Sequence, residues 1–170
     1  MGNVIGLLLG LFGFGPAGAA SKFEQVQNQP LFMAMPNREL AEAAKAANGA
    51  LRHFRTLLAA SPITDAPPMV KTYIADPKGD GMWLWLSVES ATDSGFNAYV
   101  FEAPPEFPEL TPGSRRFVPN DQVGDWAAII SGVMHGGYSL RVQRSRLPEG
   151  ERQSFDGYIG ARSYAPLPAP

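Results

Sequence analysis

The sequence contains no cysteine, which excludes disulfide bonds, thiol nucleophiles and thiolate metal sites. An excess of charge is also lacking, because 14 Lys and Arg residues stand against 16 Asp and Glu residues, a net charge of −2. A net charge so close to zero gives no indication of a nucleic-acid partner. These absences favour a protein without thiol chemistry and without a nucleic-acid partner.

Signatures of catalysis and metal binding are equally few. The sequence has neither a nucleophile elbow nor a phosphate-binding loop, and His53 and His135 are its only histidines. Asp121, Asp125 and His135 would make a three-ligand set, but no second histidine supports it, so we expect no bound metal or cofactor. A hydrolase with two carboxylates is conceivable from acids in a proline-rich, loop-like stretch. These acids are Glu102, Glu106 and Glu109.

The first charged side chain is Lys22, and the residues before it form an apolar leader. Residues 4–20 have the length and the small terminal residues of an export signal, with cleavage expected near Ala20, although no Lys or Arg precedes the apolar run. An uncleaved membrane anchor or a buried or disordered segment stays open, but the stretch is short and glycine-rich for a membrane-spanning helix. We therefore predict an exported, periplasmic protein with a leader at 1–20 and a linker or extended arm at 21–36.

One amphipathic helix is predicted over residues 37–60. Asn37 is suited to the N-cap position, and the apolar residues that follow recur at i, i+3 and i+4. The Ser61-Pro62 pair ends the helical pattern.

Alternating apolar and polar residues then predict short strands. A glycine-rich turn joins the first two strands into a β-hairpin, whose second strand places Trp83 and Trp85 on one face. These rings could form a stacking platform, but such a pair more often covers the edge of a core. Residues 154–161 could add a last strand or a packed tail. The predicted strands are 69–75, 82–88, 96–103, 113–119 and 138–142.

These elements predict an α+β fold. One N-terminal helix would pack on a bent antiparallel sheet of about five strands, which could close partly into a small barrel. The single domain would span residues 37–162 and end in a proline-rich, loose tail at 163–170.

Residues 123–144 combine the most distinctive side chains of the chain. Asn120 or Asp121 would cap a short helical turn that carries Val123, Trp126 and Ala127 on one side. A His-Gly-Gly turn at 135–137 would then lead into the strand at 138–142.

Asp125 and Arg141 are the interesting polar residues in this segment. We expect first that they form an ion pair that locks the turn to the strand. Alternatively, Arg141 joins Trp126 and the backbone amides of Gly136 and Gly137 in a site for an anion or a peptide carboxylate.

The same segment resembles a known bacterial family. The residues that carry the resemblance are Gly113, Phe117, Val123, Asp125, Trp126 and the run G-G-Y-S-L-R at 136–141. Their spacing is similar to that in domain of unknown function 2314, the YegJ-like bacterial proteins, and the resemblance covers roughly residues 36–146. It implies an architecture but no reaction, because the family has no established activity.

The leading functional hypothesis is therefore a non-enzymatic exported domain that binds a protein or peptide, through the sheet edge or the region of Trp126 and Arg141. The alternative is a small hydrolase-like or ligand-binding pocket near Asp125, His135 and Arg141. A membrane-attached structural subunit is a third possibility. The candidate binding residues are Asp125, Trp126, His135, Gly136, Gly137, Tyr138 and Arg141.

Overall fold

A computed structural model describes residues 38–60, 66–75, 81–101 and 110–168 of the chain. The predicted leader and arm, the Asn37 cap and the acids Glu102, Glu106 and Glu109 lie outside these residues. The described elements are helices α1 (Arg38–Gly49), α2 (Leu51–Ala60), α3 (Tyr138–Arg146) and α4 (Glu149–Ile159), and strands β1 (Met69–Ala75), β2 (Gly81–Ala91), β3 (Gly95–Tyr99), β4 (Arg115–Pro119), β5 (Val123–Ile130), β6 (Val133–Gly136) and β7 (Ser163–Tyr164).

The strands form one mixed, open sheet in the order β4-β3-β2-β1-β5-β6-β7. Neighbouring strands are antiparallel except for the β6–β7 pair, which is parallel. The α+β class and the β1–β2 hairpin are confirmed. The prediction of one helix, five strands and a partly closed barrel is wrong, because β4 and β7 end the sheet on opposite sides and the described chain adds two C-terminal helices.

Two C-terminal predictions are corrected by these helices. The predicted strand at 138–142 is the start of α3, and the predicted strand or tail at 154–161 lies mostly in α4. In α4 the buried residues Phe155 and Ile159 are four residues apart, which is the spacing of one helix face. The alternation at 138–142 fails as a strand signal because Tyr138, Ser139 and Leu140 are consecutive and all buried.

The segment before β5 and the end of the chain also differ from expectation. A 3₁₀ turn at Asn120–Gln122 leads directly into β5, so Trp126 and Ala127 point to opposite faces of the sheet. The first residues of the predicted tail contact the sheet, because β7 pairs with β6 and the Ala165 N–H donates to the Met134 carbonyl at 2.9 Å.

Each face of the sheet carries its own hydrophobic core. Helices α1 and α2 cover one face, where Ala47 and Phe54 pack with Val70 and Trp126. Helices α3 and α4 cover part of the other face; the buried residues there are Met69, Trp85, Ile129, Leu140, Phe155 and Ile159. Among the described helices, none has the length and apolar character needed to cross a membrane.

Candidate functional site

Asp125 is fully buried on β5, and its carboxylate caps the first turn of α3. Oδ1 accepts hydrogen bonds from the N–H groups of Trp126 at 2.7 Å and Tyr138 at 3.0 Å. Oδ2 accepts hydrogen bonds from the N–H of Ser139 at 2.7 Å and from its hydroxyl at 2.6 Å. The first N–H groups of a helix have no partner within the helix, so Asp125 supplies one from a distant strand.

Two glycines bring α3 to this carboxylate. Gly136 and Gly137 have φ of +70° and +66°, a left-handed conformation that favours glycine. A Cβ on Gly136 would lie 2.5 Å from Cε3 of Trp126, so the residue must also be small. The Trp126 indole N–H donates to the Ala47 carbonyl of α1 at 3.0 Å. The segment from Asp125 to Ser139 therefore joins the sheet, α1 and α3 in one packed unit.

Lys71, which the sequence reasoning missed, extends this polar cluster. Its Nζ donates to the Ser139 hydroxyl at 3.2 Å and lies 5.7 Å from the centre of the Trp85 ring. Burial lowers the pKa of Lys71, and the Asp125 charge opposes this shift. Burial raises the pKa of Asp125, while bonds from Ser139 and Trp126 and the Lys71 charge oppose it. Lys71 lies inside the predicted strand at 69–75, next to the apolar residue Val70. A lysine at such a position is the sequence signal that could have identified it.

Arg141 does not pair with Asp125, so the predicted ion pair is wrong. Its guanidinium donates to the carbonyls of Gly136 at 2.8 Å, Met134 at 3.2 Å and Ala165 at 2.7 Å. Burial lowers the pKa of Arg141, although the neighbouring tyrosines and Asp125 oppose this shift. Because the strand expected at 138–142 is a helix, Arg141 faces β6 and the C-terminal segment, and it ties the two together.

His135 lies on β6 and is partly exposed. Burial lowers its pKa, and the positive charges of His53 and Arg141 lower it further. Within the described ranges, no three His, Cys, Asp or Glu side chains are grouped closely enough to hold a metal ion.

The seven residues predicted as a binding site are therefore close together in the fold, but most are inaccessible. Asp125 and Trp126 have no exposed surface, and Tyr138 is 5% exposed. Gly136 and Gly137 are also buried, which leaves only His135 and Arg141 partly accessible. Their binding role stays a prediction.

A cavity of about 500 Å³ adjoins this unit on its outer side. Tyr138 and Arg141 line it together with Glu39 and Glu42 of α1. The Tyr138 hydroxyl is buried and has no hydrogen-bond partner among the described residues. Asp125 and His135 do not line this cavity.

A second accessible region lies where β5 begins, and we call it the aromatic notch. It is a cavity of about 580 Å³ whose walls include Tyr73, Trp83, Lys45, Asn48, Asp121, Gln122 and Gly124. Trp83 and Tyr73 are cross-strand partners, with ring centres 5.6 Å apart and planes at 67°. They are 46% and 47% exposed, whereas Trp85 on the same face is only 3% exposed. Only one of the two paired tryptophans therefore serves the core.

The walls of the aromatic notch are held by contacts on both sides. The Trp83 ring occupies the space above Gly124, where a Cβ would lie 2.8 Å from its Cη2 atom. Elsewhere in the notch, the Asn48 amide donates to the carbonyls of Asn120 at 2.5 Å and Val123 at 3.3 Å. The hydroxyl of Thr72 donates to the Gln122 carbonyl at 3.0 Å. These bonds hold the backbone at residues 120–123, which borders the notch, to α1 and β1.

The chain is similar to a family of bacterial proteins. No curated protein and no solved structure matches it. Residues 37–162 match the model of a family described as uncharacterized proteins conserved in bacteria, domain of unknown function 2314, and this match does not address the YegJ-like label. The described segments 38–60, 66–75, 81–101 and 110–162 contain the four described helices and strands β1 to β6, and β7 follows directly after the matched region. The chain therefore belongs to the domain of unknown function 2314 family.

Proposed function

We propose that this protein is a non-enzymatic domain that binds a segment of a partner protein through the aromatic notch. The observation that carries the proposal is the half-exposed pair of Tyr73 and Trp83 at the wall of a cavity. Tyrosine and tryptophan are enriched among the residues that dominate binding energy at protein interfaces. Adjacent exposed aromatic rings that border a concave surface mark such an interface more specifically than single exposed apolar residues do.

The composition of the aromatic notch supports a protein ligand. Lys45 and Asp121 place one charge of each sign at its wall, and Asn48 and Gln122 add amides. An apolar centre with a polar border is the usual anatomy of a protein interface. The walls are held by internal hydrogen bonds, so a ligand would bind with little cost for ordering the site.

The proposal is tested by selecting random dodecapeptides displayed on phage against the immobilised full-length chain. We expect enriched peptides whose capture falls at least tenfold on Trp83→Ala, since truncating a binding hot spot costs about 2 kcal/mol or more. Phe117→Ala is the matched control, because Phe117 is 49% exposed and lies on β4, away from the notch. Enrichment that is absent, or that survives Trp83→Ala unchanged, would rule out this surface.

Export belongs to the same proposal and rests on the apolar, glycine-rich composition of residues 4–20. Expression of the full chain in a bacterial host, followed by intact-mass measurement of the envelope fraction, tests it. A mature N-terminus near Ala20 is expected. Recovery of the protein with residues 1–20 still attached in the membrane fraction would favour an anchored protein instead.

A second candidate function, a ligand-binding pocket, is favoured by the unpartnered Tyr138 hydroxyl beside Arg141. A thermal-shift screen of small carboxylic acids, run on the wild type and on Tyr138→Phe, tests it. An acid that stabilises the wild type more than the variant would support the pocket. Equal shifts for both proteins across the screen would exclude a role for this hydroxyl.

A further inference from the structure

The aromatic notch carries a more specific inference about its ligand, which rests on the proposed function. We propose that the notch recognises a proline-containing peptide in the extended polyproline II conformation. Three properties of the notch support this ligand: its unengaged hydrogen-bond donors, the angle between its two aromatic rings and the exposure of both rings.

Three side chains of the notch carry hydrogen-bond donors that are not engaged within the described residues. The Trp83 indole and the Lys45 ammonium are donors only, and the Tyr73 hydroxyl is able to donate. Within the described ranges no hydrogen bond engages any of these three groups. Asp121 is the one carboxylate in the wall. A ligand that offers carbonyl acceptors to these three donors therefore suits the site.

Proline-rich segments have this property. Proline lacks a backbone N–H but keeps its carbonyl, so each proline in a peptide removes one donor and no acceptor. In the polyproline II conformation there are no internal hydrogen bonds, and the carbonyls remain available to outside donors. The side-chain donors of Trp83, Tyr73 and Lys45 would bond to these carbonyls.

The aromatic wall suits a proline ring. Trp83 and Tyr73 stand at 67° to each other with ring centres 5.6 Å apart, so they form two sides of a corner. Because Gly124 has no side chain, the Trp83 ring packs against its backbone. A proline ring is compact and rigid, and it is small enough to contact both aromatic rings at once. Aromatic-lined grooves are a known means of binding polyproline II segments.

The exposure of both rings favours a rigid ligand group over a flexible side chain. Tyr73 and Trp83 are about half exposed, so a ligand can reach both rings. A rotamer-rich side chain would lose conformational entropy on binding to them, whereas a rigid proline ring would not. A polyproline II segment is already extended before it binds, so less ordering is required. The charges of Lys45 and Asp121 then orient residues that flank the proline.

The test uses the most enriched dodecapeptide of the selection on the full-length chain, and a copy in which every proline is replaced by alanine. Trp83 is the only exposed residue among the three tryptophans, because Trp85 and Trp126 are 3% and 0% exposed. Binding at the notch is therefore followed by protection of Trp83 fluorescence from acrylamide quenching. We expect the alanine copy to bind at least tenfold more weakly. Tyr73→Phe, which removes one donor and keeps the ring, should weaken binding about fivefold, the effect of one hydrogen bond.

Gly124→Ala provides a second variant that does not remove an aromatic ring. The added methyl group displaces the Trp83 ring from its position over Gly124, so we expect the affinity for the peptide to fall. The urea midpoint should change no more than it does for an ordinary surface substitution. A selected peptide that contains no proline, or that binds equally well after proline replacement, would overturn this inference and leave the proposed function standing. Absence of any selected peptide that depends on Trp83 would remove both.

Discussion

Replacing Asp125 with alanine is expected to lower the free energy of unfolding by about 4 kcal/mol, because the carboxylate satisfies donors that nothing else reaches. The variant leaves three buried N–H groups without an acceptor, those of Trp126, Tyr138 and Ser139. Each unsatisfied buried group costs about 1–3 kcal/mol. The lower limit for all three, together with the loss of the bond from the Ser139 hydroxyl, gives the estimate.

Asp125→Asn distinguishes the contributions of the two carboxylate oxygens to stability. If the amide oxygen takes the place of Oδ1, the bonds from Trp126 and Tyr138 survive. The amide nitrogen then faces the N–H of Ser139, which is also a donor. We therefore expect a smaller loss, about 2 kcal/mol.

Urea unfolding followed by circular dichroism measures both variants. With a slope of about 2 kcal/mol per molar urea, Asp125→Ala should lower the midpoint by about 2 M and leave the slope unchanged. Asp121→Ala is the matched control, since Asp121 is exposed at the start of the same segment and should change stability by less than about 0.5 kcal/mol. A loss below about 1 kcal/mol for Asp125→Ala would refute the capping argument.

The pH dependence gives Asp125 an independent check. Burial raises the pKa of Asp125 in the folded state above its unfolded value of about 3.9. The folded state therefore binds the proton more tightly than the unfolded state does. The stabilisation that comes from this tighter binding is complete below about pH 3.9, and it is lost as the pH rises through the folded pKa. Relative to Asp125→Asn, the wild type should therefore lose free energy of unfolding as the pH rises from about 3.9 through the folded pKa of Asp125. A difference that is constant with pH would contradict the raised pKa.

Three further predictions concern other residues. Gly136→Ala should lower the free energy of unfolding by about 2–3 kcal/mol in the same urea assay, because Gly136 has a positive φ and its Cβ would meet Trp126. Gly157→Ala should raise it by about 0.5–1 kcal/mol, because Gly157 lies on α4 and a Cβ there would meet no other atom. Burial, His53 and Arg141 lower the pKa of His135, so the free energy of unfolding should fall as the pH drops below about 6.5. His135→Gln should make the free energy of unfolding less dependent on pH in this range, and an unchanged dependence would contradict the lowered pKa. Burial tends to raise the pKa of Asp156, but Arg144 and Tyr164 lower it overall, so its stabilisation is present above about pH 3.9 and lost as the pH falls through the folded pKa. Asp156→Asn should be less sensitive to acid than the wild type in a pH titration, and equal sensitivity would count against it.

The N-terminal half of the described fold was accessible from local sequence patterns. The spacing of apolar residues predicted the helical region that the structure shows as α1 and α2, and alternation around a glycine-rich turn predicted the β1–β2 hairpin. These signals are local, because a helix face or a strand face is set by residues within a few positions of each other. The resemblance of the Asp-Trp and Gly-Gly-Tyr-Ser spacing to its family was equally readable and is confirmed.

The candidate sites were harder to predict, because they depend on contacts between distant segments. The sequence points to Asp125 and predicts Arg141 as its partner, but the Asp125 oxygens accept hydrogen bonds from Ser139 at the start of α3. The exposure of Trp83 and the burial of Trp85 follow from how far α3 and α4 extend over the sheet. No periodicity in the sequence encodes that coverage.

The sequence by itself determined the α+β class, the amphipathic helical segment, the hairpin and the family, since each rests on short-range patterning or on a fixed motif spacing. Only the tertiary structure decided that residues 138–146 form a helix. The alternation there suits a strand, but the Asp125 carboxylate on β5 satisfies the first N–H groups of α3 and makes the helical conformation the stable one. The tertiary structure also decided where the accessible surface lies, because the aromatic notch exists only where β1, β2, α1 and the start of β5 meet.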